Sequence, residues 1–330
     1  MVKKTLDVLS ILAAAVVMVI IIYSSSSLLE GRFYEEDVQT SWDDITESFV
    51  RWEYAELALE QDQLGSVDIE KSADRLFISN VSGPVTVTPW DRDYTRIEYD
   101  RTAVSSYYQD DVYAEMRMHN SNIEVTTHYR PNAPGVTGAV GYHVYLAKGT
   151  RQIDIHTVSG EISLEQLPDD AKVSISMVSS RVTVDGGSSL RIKGYSGEVD
   201  FSLHGGSAKI DVYSSSVQGA FEQFFENQEL SVKSVTGNIN VTFPEDLNNV
   251  EYQVRTSSGT ISLSPVLAQF RREGMLNEAR GVVGSPDNRI MLETSSGHIK
   301  LRLAGDDRDL MDLEEFHVED EDNPSPEDPE

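Results

Sequence analysis

The chain repeats a short phrase: TVSGEISL at 157–164, SVTGNINV at 234–241, TSSGTISL at 256–263 and TSSGHIKL at 294–301. With the residues before it, the phrase belongs to a longer frame: apolar-x-apolar, three residues, Ser/Thr-Gly, one residue, apolar-x-apolar. Ile153, Ile155, Ser159, Gly160, Ile162 and Leu164 fill it, and it recurs around Gly197, Gly237, Gly259 and Gly297. Two copies have Ser180 and Ser215 in place of the glycine, and an isolated early copy centres on Gly83. Each apolar-x-apolar pair has the period of a strand with one buried face, and most members are β-branched or leucine, as a pleated surface favours. Glycine tolerates positive φ, so the chain can change direction there. Gly83, Gly160, Gly197, Gly237, Gly259 and Gly297 therefore read as structural turns, and Ser180 and Ser215 as gentler corners. Val81, Val158, Val178, Tyr195, Tyr213 and Val235 stand just before the corners and pack them in part.

From Gly160 onward the corners fall at 160, 180, 197, 215, 237, 259 and 297, at intervals of 20, 17, 18, 22, 22 and 38. A period near 20 marks stacked units. The few apolar side chains of one unit do not offset the entropy of ordering it, so each unit needs neighbours that share its core and pair its backbone. The expectation is an all-β, single-stranded β-solenoid of about seven rungs, with successive units lying on one another and Ile162, Val182, Val199 and Ile239 in one column. A β-sandwich with Ser-Gly turns is the alternative. Residues 67–150 read as a strand-rich N-terminal part that caps or begins the solenoid, and 151–304 as its repeats. The long last interval holds an insertion, 265–289, in which 266–281 reads as helical and covers the C-terminal strand edge together with the tail.

The termini read differently. Lys3 and Lys4 precede an apolar run from Leu6 to Tyr23, close to the ~20 residues that cross a bilayer. Acidic residues follow it, so the positive-inside rule puts the N-terminus in the cytoplasm. The expected organisation is 1–5 cytoplasmic, 6–28 a transmembrane signal-anchor, 29–66 a membrane-proximal stalk, and the bulk of the chain extracytoplasmic, periplasmic or extracellular. A cleaved signal peptide is the rival reading. Residues 305–330 hold thirteen Asp or Glu against one Arg and read as a disordered acidic tail, with Leu310, Met311, Leu313 and Phe316 able to start it as a short docked helix.

Composition excludes several classes of function. With 27 basic and 55 acidic residues the net charge is −28, which argues against nucleic acid and against docking on anionic lipid by charge. The absence of cysteine removes disulfides, thiolate metal sites and cysteine nucleophiles. The seven histidines form no i, i+4 pair, and no HExxH, GxSxG, Walker A or strand-to-helix GxGxxG occurs. GGSSLR at 186–191 and GGSAKI at 205–210 lack the later Gly and Asp of a calcium-binding repeat. No cofactor and no metal are expected. Asp91, Asp93, Asp110 and Asp111 are the carboxylates available for glycoside chemistry. The outward residues of the second strands stack instead into a candidate interaction ladder, Glu161, Arg181, Glu198, Ser216, Asn238, Thr260 and His298. A second runs through Ser163, Thr183, Asp200, Gln218, Asn240, Ser262 and Lys300.

LFISNVSGPVTVTPWD, LAKGTRQIDIHTVSGEISLEQL and GVVGSPDNRIMLETSSGHIKL resemble the bacterial family of β-strand-repeat "putative adhesin" domains, a domain of unknown function, over about 67–303. The resemblance implies a cell-envelope or surface protein behind one transmembrane segment, and it supplies no catalytic residues. The expected function is non-enzymatic. An extracytoplasmic solenoid would be presented for adhesion, envelope scaffolding or stress-related binding, with an unknown protein or glycan as ligand. A polysaccharide-acting β-helix enzyme and an end-to-end polymerising solenoid are the alternatives.

Overall fold

The computed structural model describes residues 64–70, 73–103, 112–119, 121–129, 138–224, 226–272, 277–306 and 310–312. The expected segments 1–5 and 6–28, nearly all of the stalk, Asp110, Asp111 and residues 313–330 lie outside them. Among the described residues no helix is long and apolar enough to cross a membrane.

In chain order the strands are β1 (Leu64–Ile69), β2 (Arg75–Ser82), β3 (Val85–Pro89), β4 (Thr95–Ala103), β5 (Val112–His119), β6 (Asn122–Tyr129) and β7 (Gly138–Leu146). Then come β8 (Gln152–Leu167), β9 (Lys172–Gly186), β10 (Ser189–Leu203), β11 (Ser207–Phe221), β12 (Glu229–Thr236), β13 (Ile239–Phe243), β14 (Val250–Ser258) and β15 (Ile261–Leu263). A short helix, α1 (Pro265–Ala268), is followed by β16 (Arg271–Arg272), β17 (Glu278–Val283), β18 (Asn288–Ser296), β19 (Ile299–Leu303) and β20 (Met311–Asp312). The fold is all-β and solenoid-like, and among the described residues these strands belong to one unclosed sheet.

The middle follows the repeat. β8 pairs in parallel with β9, β9 with β10, and β10 with β11; β11 then pairs with β12 through its first arm and β13 through its second. Every frame position meets its equivalent, so Ile162, Val182, Val199, Val217 and Ile239 form one buried column. The first arms supply another, Ile155, Ile175, Ile192, Ile210 and Val232. At about 1.5–3 kcal/mol for each fully buried aliphatic side chain, these columns are the main source of stability. Breaks in the frame are filled by a neighbour. Gly219 takes an apolar position, and a Cβ there would enter the Phe201 ring; Gly194 likewise leaves room for the Met177 side chain.

Stacking departs from chain order at the C-terminal end. β12/β13 is followed by the last copy, β18/β19, and only then by β14/β15, so the corners run 237, 297, 259. The long segment between β15 and β18 makes this possible: β17 runs back antiparallel on β14, pairing Gly281 with Tyr252, and β18 enters on the other side of β14. The helix expected over 266–281 is accordingly corrected. Among the described residues of this segment only Pro265–Ala268 is helical, and Glu278–Val283 is a strand, because satisfying the open backbone groups of β14 outweighs a local helical pattern. The start of the tail is corrected in the same way: Met311 and Asp312 pair antiparallel with β15 rather than forming a helix.

The early copy is not isolated. β2 and β3 lie directly on β8, with Ile78 beside Ile155 and Val85 beside Ile162. β6 and β7 follow as the outermost parallel pair; β5 covers β6 and β4 covers β7 antiparallel, and β1 pairs antiparallel with β4. β1 begins at Leu64, inside the segment expected to be stalk.

The corners explain their glycines. Gly83, Gly160, Gly197, Gly237, Gly259 and Gly297 have φ between 115° and 156°. A Cβ on Gly197 would collide with the Ser180 carbonyl oxygen, one on Gly237 with that of Ser215, and one on Gly160 with that of Gly83. Both the direction change and the close approach of the next backbone require glycine. Ser180 and Ser215 keep ordinary φ and turn their side chains inward, each hydroxyl buried without a hydrogen-bond partner among the described residues.

Candidate interaction surface

The inward residues of each second arm fix the outward ones by alternation. Parallel register therefore sets Glu161 beside Arg181, Arg181 beside Glu198 and Glu198 beside Ser216. The column continues through the backbone: Val217 N donates to Asn238 O (2.9 Å), Ile239 N to His298 O (2.9 Å) and Ile299 N to Thr260 O (2.9 Å). Glu161, Arg181, Glu198, Asn238, Thr260 and His298 thus lie in one column, with His298 between Asn238 and Thr260. The exchange follows from the inserted position of β18/β19.

Side chains reinforce this order. Arg181 Nη2 lies 3.0 Å from Glu198 Oε2, with the two side chains 62% and 47% exposed, so the pair contributes at most about 1 kcal/mol. The His298 amide donates to Asn238 Oδ1 (2.9 Å), and His298 Nδ1 lies 2.8 Å from Thr260 Oγ1. The second column holds Ser163, Thr183, Asp200, Gln218, Asn240, Lys300 and Ser262 in register. Partial burial, with Glu198 close by, pushes the Asp200 carboxyl above the usual carboxylate range.

Toward the N-terminal end this wall continues through Thr86 and His143 and meets an aromatic cluster. Trp90 stacks with Tyr145 at 5.2 Å and 29°, and Tyr145 with His143 at 4.3 Å and 20°. Trp90 Nε1 donates to Tyr94 O at 2.7 Å. The guanidinium carbons of Arg92 and Arg96 lie 5.8 and 5.7 Å from the Trp90 ring centre. Arg96 also binds Asp68 at 2.6 Å, which holds that carboxyl below its ordinary range. Sequence reading missed this cluster; its signal is the alternation in GYHVYLAKG, whose polar-phase residues include His143 and Tyr145. Since the rings and guanidinium groups cover one another, the cluster fastens the end of the wall.

Of the carboxylates considered for glycoside chemistry, Asp110 and Asp111 lie outside the described residues. Asp91, on the turn after β3, is bonded to Lys148, and both are largely exposed; that contact lowers the Asp91 carboxyl. Among the described residues no group of three or more His, Asp or Glu is placed to hold a metal. The wall offers hydrogen-bond donors, acceptors and spaced charges.

Residues 150–302 match the family described as Toastrack DUF4097. No curated protein sequence matches the chain. Among solved structures, one described as a "putative cell adhesion protein" from Clostridium sporogenes is 12% identical, with a TM-score of 0.33, over 73% of this chain and 99% of its own. A "putative adhesin" from Bacteroides fragilis is 9% identical, with a TM-score of 0.35, over 73% and 98%. Another from Parabacteroides distasonis is 10% identical, with a TM-score of 0.30, over 72% and 96%. The chain therefore carries, over residues 150–302, a Toastrack DUF4097 domain, a domain of unknown function.

Proposed function

We propose that this is a non-enzymatic cell-envelope protein in which a membrane-anchored, extracytoplasmic solenoid, its repeat copies acting as rungs, presents the second-arm wall to a protein or glycan ligand. The observation that carries the reading is the unbroken register from Glu161 to Thr260. It holds exposed polar side chains at the strand spacing of about 4.8 Å on a rigid sheet. Recognition by such a surface needs preorganisation rather than a reactive group. The anchor rests on the apolar run Leu6–Tyr23 behind Lys3 and Lys4.

Two measurements on the full chain test this. It is expected to stay with the membrane fraction after a carbonate wash, with its strand region digested by protease added from outside the cytoplasmic membrane. A photo-crosslinking residue at Ser216 or Asn238 should form one discrete envelope adduct, lost in the Glu161→Lys/Glu198→Lys variant. Release of reducing sugar from envelope polysaccharide by the purified chain, abolished by Asp91→Asn, would overturn the reading in favour of catalysis.

A further inference from the structure

The outward side of the first arms carries different chemistry. Arg191 and Lys193 project from β10, Lys209 and Asp211 from β11, and Lys233 from β12. Register sets Arg191 directly opposite Lys209, Lys193 opposite Asp211, and Asp211 opposite Lys233. Four cations and Asp211 thus share three neighbouring strands, with Glu293 of β18 opposite Lys233 at the margin, in a chain of net charge −28. Lys209 Nζ is 4.0 Å from Asp211 Oδ2, while Arg191, Lys193 and Lys233 form no ion pair among the described residues. Like charges directly opposite one another destabilise a sheet, so the Arg191–Lys209 juxtaposition is not explained by folding.

Beside the cations, nearer the corner, Tyr195 and Tyr213 stack with their ring centres 5.0 Å apart and their planes within 3°. Val178 and Val235 hold the equivalent positions on β9 and β12, and all four are half-buried. The wall thus combines an apolar strip with a strip of spaced positive charge.

We infer that the first-arm wall binds a linear acidic glycan, with Arg191, Lys193, Lys209 and Lys233 taking its anionic groups and the tyrosine–valine strip lying against its sugar rings. The inference rests on the reading that the chain acts by binding, and it names a second surface for it. Charge spacing favours a glycan over other polyanions. Lys193 and Lys233 are two strand spacings apart, about 9–10 Å, whereas each strand of duplex DNA carries a phosphate roughly every 3.4 Å of helix axis. The net negative charge repels a densely charged polymer at long range. The tyrosine rings also face each other too closely to admit a base between them.

The test is calorimetric titration of the full-length chain at low salt with four probes: oligogalacturonate, its methyl-esterified form, a phosphorylated mannan oligosaccharide and oligothymidylate. Binding is expected for one or both anionic oligosaccharides, which also tells carboxylate from phosphate. It should weaken as salt rises and be absent for the ester. Lys193→Glu/Lys233→Glu should reduce affinity about tenfold or more, and Tyr195→Ala several-fold. Glu161→Lys/Glu198→Lys, on the other wall, should leave this binding intact. Lys193→Gln/Lys233→Gln, which sets no like charges opposite Asp211, should melt with the wild type and lose the same binding. Wild-type binding by Lys193→Glu/Lys233→Glu, tighter binding of oligothymidylate, or no binding to either anionic oligosaccharide overturns the inference. None of those results touches the crosslinking outcome at Ser216 and Asn238, on which the broader reading stands.

Discussion

At the N-terminal end of the stack, β4 and β5 run antiparallel over the last parallel pair, and Gly65 of β1 lies against the ring of Tyr99 on β4. At the C-terminal end β17 runs antiparallel over β14, and Gly281 lies against the ring of Tyr252. In both places a tyrosine covers the glycine opposite it, a device that restores packing where an edge strand lacks a side chain. The interiors differ. The N-terminal end buries a polar network: Thr127 Oγ1 donates to Asn80 Oδ1 (2.8 Å) and lies 2.7 Å from Tyr142 Oη, while Asn80 Nδ2 donates to Val140 O (2.9 Å). At the C-terminal end the side-chain bonds are separate: Tyr252 Oη donates to Leu267 O of α1 at 2.8 Å, and Ser264 Oγ donates to Asp306 Oδ2 at 2.6 Å. A parallel stack exposes paired-strand edges at both ends, and two unrelated sequences close them with the same antiparallel turn-back. A connected buried side-chain network reinforces the backbone pairing at one end, and separate side-chain hydrogen bonds do so at the other.

The largest effect is expected between the ends, where neither device operates. Gly197→Ala places a Cβ on the Ser180 carbonyl at φ 138°, and should cost about 2–5 kcal/mol in chemical denaturation. Ser180→Ala, on the same stack, should stay near wild type or gain slightly, because it removes a buried hydroxyl that has no partner. Equal losses in the two variants would refute the distinction between the corners.

Next come the covered glycines. Gly65→Val and Gly281→Val should each destabilise by about 1–3 kcal/mol through overpacking against a tyrosine ring. If the ends are independent, the double variant should show the sum in the same denaturation series. A loss well short of the sum would mean that one end unfolds on its own.

Thr127→Val separates the ends. It strands Asn80 Oδ1 and the Tyr142 hydroxyl in the core and should cost roughly 1–3 kcal/mol. Hydrogen exchange should speed up in β2, β6 and β7 and leave β14 and β18 protected.

The smallest effect depends on pH. Burial pushes the Tyr252 hydroxyl up to about 12 and raises that of Tyr142 as well. In each case the folded state keeps the proton that the unfolded chain releases near pH 10. Stability from these groups is therefore complete below about pH 10 and falls as pH rises toward 12. Melting temperature followed by circular dichroism from pH 9 to 11.5 should drop less steeply in Tyr252→Phe than in wild type, from a starting point lowered by about 1 kcal/mol for the lost hydrogen bond. A slope unchanged by that substitution would assign alkaline loss to the N-terminal end.

Particular residues show how much was legible. The columns through Ile162 and Ile155, the corner glycines and the membership of the Glu161–Thr260 ladder follow from a local frame, because a strand alternates with period two and identical frames stack most favourably on one another. The helical pattern at 266–281 misled because an open strand edge drew that segment into pairing. The Arg191–Lys209 juxtaposition follows from the same frame in consecutive copies, whereas the Trp90 cluster could not be read, since it depends on which strand lies beside which.

The sequence by itself determined that this chain is a stack of bent strands, that glycine stands where two backbones meet at a corner, and which side of each arm faces the core. Only the tertiary structure decided the order of the stack, placing β18/β19 inside β14/β15 and the early copy against β8. The reason is physical: copies with one frame are interchangeable partners as far as local pattern goes. Their order is set by where the long segment between β15 and β18 can cover an exposed edge, and that is a property of the whole assembly.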